Sequence, residues 1–118
     1  MLKTHKDLDV YNKSITLVTE IYKVTASFPK PEMYGLTAQI RRAAVSIPSN
    51  IAEGSARNSQ NEFRQFLYIA LSSSAELETQ LQIASNLGFL QADSKNILDS
   101  ELTSIAKMLQ GLIKSINK

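Results

Sequence analysis

Four arginines, Arg41, Arg42, Arg57 and Arg64, are the residues of this chain best equipped to hold a ligand, and no others occur in the sequence. A guanidinium presents a planar fork of N–H donors that can grip a phosphate or carboxylate through two parallel hydrogen bonds, so such a cluster reads first as an anion site. Arg41 and Arg42 cannot both face a core, because consecutive helical residues point about 100° apart, so at least one is solvated. Two readings stand: an ordinary solvated face, or arginines repeated by subunit symmetry into a ring that holds RNA or DNA.

Between the two halves of this cluster lie Pro48, Glu53 and Gly54. Pro48 has no N–H for the carbonyl of Ala44 and its ring crowds that carbonyl, which calls for a kink or a local opening, with Ser46 and Ser49 available to bond the freed backbone. Glu53 and Arg57 stand four apart with the acid first, the favourable order on a helix, although an exposed pair contributes only about 0.3–0.5 kcal/mol. Pro48, Glu53, Gly54 and Arg57 therefore read as a structural joint between two helices in preference to a ligand site.

Catalytic chemistry finds few parts. There is no cysteine, and the one histidine, His5, precedes the first helix and reads as a solvated tail residue. Carboxylate-bridged metal bundles, which need Glu-x-x-His on two helices, and Ser–His or Cys–His nucleophiles are thereby excluded. Gly35, Gly54, Gly88 and Gly111 are isolated, so no phosphate-cradling loop exists. An enzyme would need a constellation of Glu53, Arg57 and Glu76; no catalytic residue, metal or cofactor is expected. Tyr11, Tyr22, Tyr34 and Tyr68 could stack on bases, but at helical spacing they read as partly buried core.

The charge balance agrees with a modest anion site at most. Over residues 36–66 four arginines oppose Glu53 and Glu62, giving 4 − 2 = +2, while residues 67–90 carry only Glu76 and Glu78, giving −2. That is far from the dense basic stripe of a dedicated nucleic-acid binder. A chain of 118 residues with 43% apolar and 20% charged side chains is one folded domain. The N-terminus has no apolar run of signal length and no stretch of about eighteen apolar residues occurs, so the expected home is the cytoplasm, with no membrane role.

Four helical segments must position these residues. The first, 9–27, has two apolar stripes: Leu8, Tyr11, Ile15, Val18 and Tyr22 on one face, and Val10, Leu17, Ile21, Val24 and Phe28 on the adjacent one. It is apolar over a wider arc than one neighbour covers, so it lies deep in the bundle or against another subunit. PKPEMYG, Pro29 to Gly35, turns the chain. The second segment, 36–56, buries Leu36, Ile40, Ala43, Ala44, Ile47 and Ile51.

Ser59 and Glu62 form a capping-box pattern that opens the third segment, 60–87. Its stripe is Phe63, Phe66, Leu67, Ala70, Ser74, Leu77, Leu81, Ala84 and Leu87, and Gly88 is placed to end it in a left-handed cap. The last segment, 93–117, starts at an Asp93 or Ser94 cap and carries a heptad seam of Leu98, Leu102, Ile105, Leu109, Leu112 and Ile116. Ser72, Ser73, Ser74 and Gly111 are small residues expected at close helix contacts. Short connections make neighbours antiparallel, so the fold class is all-α, an antiparallel up-and-down four-helix bundle.

The motifs YGLTA (Tyr34–Ala38), QIRRAAVSIPSNIAEG (Gln39–Gly54), FRQFL (Phe63–Leu67) and ELETQL (Glu76–Leu81) resemble the four-helix-bundle proteins called 23S rRNA-intervening sequence proteins. The likeness spans nearly the whole chain, and the chain is also similar to the accessory variability proteins of diversity-generating retroelements. The resemblance implies a bundle that assembles into a ring, a homopentamer, with no enzymatic activity. Some of these proteins are encoded within insertions in large-subunit ribosomal RNA genes, and the retroelement proteins bind nucleic acid as pentamers. The expected protein is a non-enzymatic, cytoplasmic, self-assembling scaffold or adaptor that contacts RNA or DNA through Arg41, Arg42, Arg57 and Arg64, or else a module that binds another protein.

Overall fold

A computed structural model describes residues 4–116 and places them in four helices: α1 (Asp9–Thr25), α2 (Leu36–Ser55), α3 (Gln60–Asn86) and α4 (Ala92–Ile116). Short 3₁₀ turns at His5–Asp7 and Lys30–Glu32 precede α1 and α2. The helices follow one another around an elongated bundle of 46 × 24 × 21 Å. Sequential neighbours touch and α4 closes onto α1, so α1 and α3 meet only across a diagonal. The expected all-α four-helix architecture is the one observed, with α1, α2 and α3 ending one or two residues earlier than expected; residue 117, the expected end of the last helix, lies outside the described residues.

The core is a continuous column of aliphatic side chains. Leu17 and Ile21 of α1, Ile40, Ile47 and Ile51 of α2, Leu67, Leu77 and Leu81 of α3, and Ile105 and Leu109 of α4 are all fully buried. Two hydroxyls enter the column on α1 and are satisfied by their own helix: Ser14 Oγ donates to the Tyr11 carbonyl at 2.8 Å and Thr25 Oγ1 to the Ile21 carbonyl at 2.7 Å. Of the two α1 stripes, the bundle takes the one containing Val10, Leu17, Ile21 and Phe28. The other is covered only in part: Leu8, Tyr11 and Val18 are half-buried against the core, with Ile15 42% and Tyr22 44% exposed.

Several expectations are corrected. His5 is no solvated tail residue: its ring packs edge-on to Tyr11 at 4.8 Å, in a turn closed by reciprocal hydrogen bonds between Thr4 and Asp7. The fourth helix begins at Ala92, where the Lys95 N–H reaches the Gln91 carbonyl at 2.9 Å, so Asp93 sits in the first turn instead of capping it. A carboxylate there still faces the positive end of the helix dipole. The heptad seam holds through Leu109 and then passes to the buried Ile113, leaving Leu112 and Ile116 half-buried. A straight helix drifts about 20° per heptad, or about 40° over the two heptads from Leu98, which turns Leu112 off the buried side and brings Ile113 toward it.

Leu87, expected in the α3 stripe, is exposed because the helix is already closing there. Gly88 has φ +79°, its N–H reaches the Ser85 carbonyl at 3.0 Å, and the Phe89 N–H reaches the Ala84 carbonyl at 2.9 Å. This is the paired 5→2 and 6→1 closure that requires a left-handed residue. Gly111 makes no close contact at all: a Cβ added there meets nothing within 4 Å. The two glycines thus predict opposite responses in chemical denaturation. Gly88→Ala destabilises by about 1 kcal/mol through its backbone angle alone, whereas Gly111→Ala, in open space on a helix, stabilises by about 0.5–1 kcal/mol.

Candidate functional site

The four arginines separate into two groups. Arg41 and Arg57 are sixteen residues apart (57 − 41) on α2 and its end, which at about 1.5 Å per residue is roughly 24 Å. Arg41 is committed to α1: its Nε donates to Thr25 Oγ1 at 2.9 Å, an Nη to the Tyr22 carbonyl at 3.4 Å, and its guanidinium lies 4.5 Å from the Tyr22 ring centroid. A cation held against the last carbonyls of α1 complements the negative end of that helix. Arg41 is thus chiefly a clamp between α1 and α2.

Arg57 is committed to the α2–α3 corner. Its guanidinium lies 3.0 Å from Glu53 and 3.7 Å from Glu62 and stacks 4.9 Å from the Phe66 ring centroid. Of the capping box expected at Ser59, the serine half is present, with the Glu62 N–H donating to Ser59 Oγ at 3.3 Å, while the Glu62 carboxylate turns to Arg57. Gly54 is buried beneath this group, and a Cβ there would come within 2.6 Å of Phe66 Cβ and 3.1 Å of Phe63. Glycine is needed at this point because the start of α3 lies against it. Glu53, Gly54 and Arg57 are therefore joint residues. Arg64, one turn into α3, donates to Asn61 Oδ1.

Pro48 is buried within α2, which remains one helix from Leu36 to Ser55. The polar groups beside it are arranged differently from the serine pair that the sequence suggests. Asn50 Nδ2 donates to the Ser46 carbonyl at 2.8 Å and to Ser46 Oγ at 2.9 Å, and Ser46 Oγ pairs with Ser73 Oγ on α3 at 2.8 Å. This polar rung between α2 and α3 escaped sequence reasoning, although Asn50 and Ser46 are spaced four apart and small serines occur at the facing place on α3. Ser49 points instead to the groove between α1 and α2.

Arg42 is exposed and, among the described residues, makes no hydrogen bond or ion pair that ties it to a neighbour. It lines a small cavity of about 230 Å³ with Gln39, Ala43, Ser46 and Glu76. Glu76 accepts from Gln80 Nε2 at 3.3 Å. It does not join Glu53 and Arg57, since Glu62, which does, lies fourteen residues earlier (76 − 62) on α3, about 21 Å away along the axis. The constellation that catalysis would require is not assembled. No group of three or more His, Cys, Asp or Glu among the described residues is placed to hold a metal ion.

One feature that charge-centred reading underweights is apolar. Tyr11, Ile15 and Val18 of α1 and Val45, Pro48 and Ala52 of α2 line an open groove of about 250 Å³. At Val45 it runs into a second recess of about 460 Å³ bounded by Tyr22, Met33, Tyr34, Ala38, Arg41 and Arg42. Tyr34 is 96% exposed on its rim. The signal in the sequence is the second stripe of α1, which the chain covers only in part: Leu8, Tyr11 and Val18 pack against the core, while Ile15 and Tyr22 stay exposed.

The corner and its ion pair predict very unequal mutational effects. Gly54→Ala forces Phe66 and Phe63 apart and costs about 1–3 kcal/mol in urea unfolding. Glu53→Gln, which removes one carboxylate from a pair 43% and 56% exposed, costs less than about 0.5 kcal/mol, and that difference fades in high salt.

No helix among the described residues is long and apolar enough to cross a membrane. Among curated proteins none matches the chain. A crystal structure of a protein of unknown function from the S23 ribosomal protein family of Bacteroides thetaiotaomicron VPI-5482 superimposes with a TM-score of 0.82 at 25% identity, covering 89% of this chain and 95% of that one. The family model described as 23S rRNA-intervening sequence protein matches residues 6–111, nearly the whole of the four-helix unit including the Arg41–Gly54 block and the groove, and the chain belongs to that family.

Proposed function

We propose that this protein is a non-enzymatic scaffold of the cytoplasm that works as an assembly of identical copies, a five-membered ring as the family resemblance implies. The observation that carries the reading is the part-exposed outer stripe of α1 and the groove it forms with α2. Ile15, Tyr22, Met33, Tyr34 and Val45 are all more than a third exposed, clustered on one side of a small chain. Contiguous apolar surface of this kind on a folded protein marks a contact with another macromolecule. Self-association needs no further component.

A second reading, contact with RNA or DNA, is favoured by Arg42. Its guanidinium is exposed beside a polar cavity, and in an assembly symmetry brings one copy from each chain to equivalent places. The family description and that of the crystallised S23 protein both carry the ribosome in their wording. The likeness to retroelement accessory proteins belongs to this same proposal. Arg41 and Arg57, occupied within the bundle, contribute less than their sequence positions suggest.

Both readings have direct tests. For a self-assembling chain the thermal midpoint rises by several degrees between about 1 and about 100 µM protein, because mass action favours the associated folded state. The double variant Ile15→Asp, Val45→Asp keeps its helical content and loses that dependence; a parent midpoint that does not move with concentration contradicts the proposal. For nucleic acid, the affinity for labelled single-stranded RNA falls linearly on a logarithmic salt scale, with a slope near −0.7 per phosphate contacted. Arg42→Gln makes the slope shallower, and an undetectable or salt-independent signal rejects this second reading.

A further inference from the structure

Arg42 of α2 and Glu76 of α3 line one recess of about 230 Å³, with Gln39, Ala43 and Ser46 beside them. Opposite charges on two packed helices can close into an ion pair, and here they do not: the ion pairs among the described residues are those of Arg57 with Glu53 and Glu62 and of Lys95 with Asp99. The carboxylate is nevertheless held. Gln80, only 7% exposed, donates from Nε2 to Glu76 Oε2 at 3.3 Å, and Glu76 Oε1 accepts no bond among the described residues.

At Ser46 the recess meets the polar rung between α2 and α3. Ser46 Oγ accepts from Asn50 Nδ2 at 2.9 Å and lies 2.8 Å from Ser73 Oγ. Two hydroxyls carry two hydrogens and their mutual bond uses one, so one O–H of the pair is left without an acceptor among the described residues. When Ser73, which is buried, donates to Ser46, that spare hydrogen belongs to the serine that lines the recess. The recess thus brings together a guanidinium, a spare hydroxyl donor and a carboxylate with a free oxygen.

We propose that this α2–α3 recess binds a free α-amino acid, its carboxylate on Arg42 and the Ser46 hydroxyl and its ammonium on Glu76. A guanidinium matches a carboxylate through two parallel hydrogen bonds, and a carboxylate is the natural partner of an ammonium. The volume holds about seven waters at ~30 Å³ each and falls below the ~300 Å³ at which drug-sized pockets begin, so the occupant is small. One cation and one anion leave the recess without net charge. That suits a ligand carrying both signs and disfavours a lone phosphate, which Glu76 repels. Exposed charges on both sides make the site weak, saturating in the millimolar range. The inference goes beyond the assembly and nucleic-acid readings and depends on neither.

The test is the thermal midpoint of the full chain at fixed protein concentration and ionic strength, with each standard amino acid at low millimolar concentration. Every amino acid that acts is compared with its amide, which lacks the carboxylate, and its N-acetyl derivative, which lacks the ammonium. The expected result is a midpoint that rises with the logarithm of concentration for at least one amino acid, as mass action requires of a ligand bound to the folded state, and for neither derivative. Arg42→Gln and Glu76→Gln, both surface changes that keep the helical content, each abolish the rise, and Arg42→Lys retains part of it. A rise that persists in both glutamine variants, an equal rise with the amide or the N-acetyl form, a rise with inorganic phosphate alone, or no rise with any amino acid overturns the proposal.

Discussion

A helix in a four-helix bundle can turn only one arc of its surface inward, and α1 carries two apolar arcs. The inner one, Val10, Leu17 and Ile21, is consumed by the core; the outer one is half-buried at Leu8, Tyr11 and Val18 and open to water at Ile15 and Tyr22. Burying a large apolar side chain is favourable by about 1.5–3 kcal/mol, so leaving several together on one side is a standing cost to an isolated chain. The fold cannot remove it by rotating α1, since that would expose Leu17 and Ile21 in exchange. On the proposed assembly, other copies of the chain cover it.

The rest of the molecule holds α1 in that position. Arg41 ties α2 to the end of α1 through Thr25 and Tyr22, and at the other end of α2 Gly54 lies against Phe66. Between these two fixtures, Ser46, Asn50 and Ser73 make a polar rung beside Pro48. An α2 secured at both ends and in the middle keeps Val45, Pro48 and Ala52 in register as the second wall of the groove. Residues that look like ligand-binding candidates in the sequence thus serve mainly to shape a surface. The Arg41-to-Phe63 block is a corner and a wall, with Arg42 exposed beside them.

The architecture was legible because long helices with a clear apolar period declare themselves. The double stripe of α1, the Gly88 closure and the start of α3 at Ser59 are local facts that no tertiary contact overrides. Legibility failed where a residue's role depends on what lies across from it. Arg41 and Arg42 are adjacent in sequence, yet one meets Tyr22 and the other meets solvent, a difference set by the angle between their side chains and the position of α1. Gly54 and Gly111 are equivalent by composition, but only Gly54 has a neighbour within reach of a Cβ. The shift from Leu112 to Ile113 follows from helix pitch and was obscured by reading a strict heptad.

The central claim, that the outer stripe of α1 is covered by other copies, is tested most directly by small-angle scattering of the free protein at low salt and at several concentrations. A single chain has a radius of gyration of 14.8 Å. The account predicts a value well above this, with forward scattering several times that of a 13.1 kDa particle. A radius close to the single-chain figure, unchanged on concentrating the sample, would contradict it.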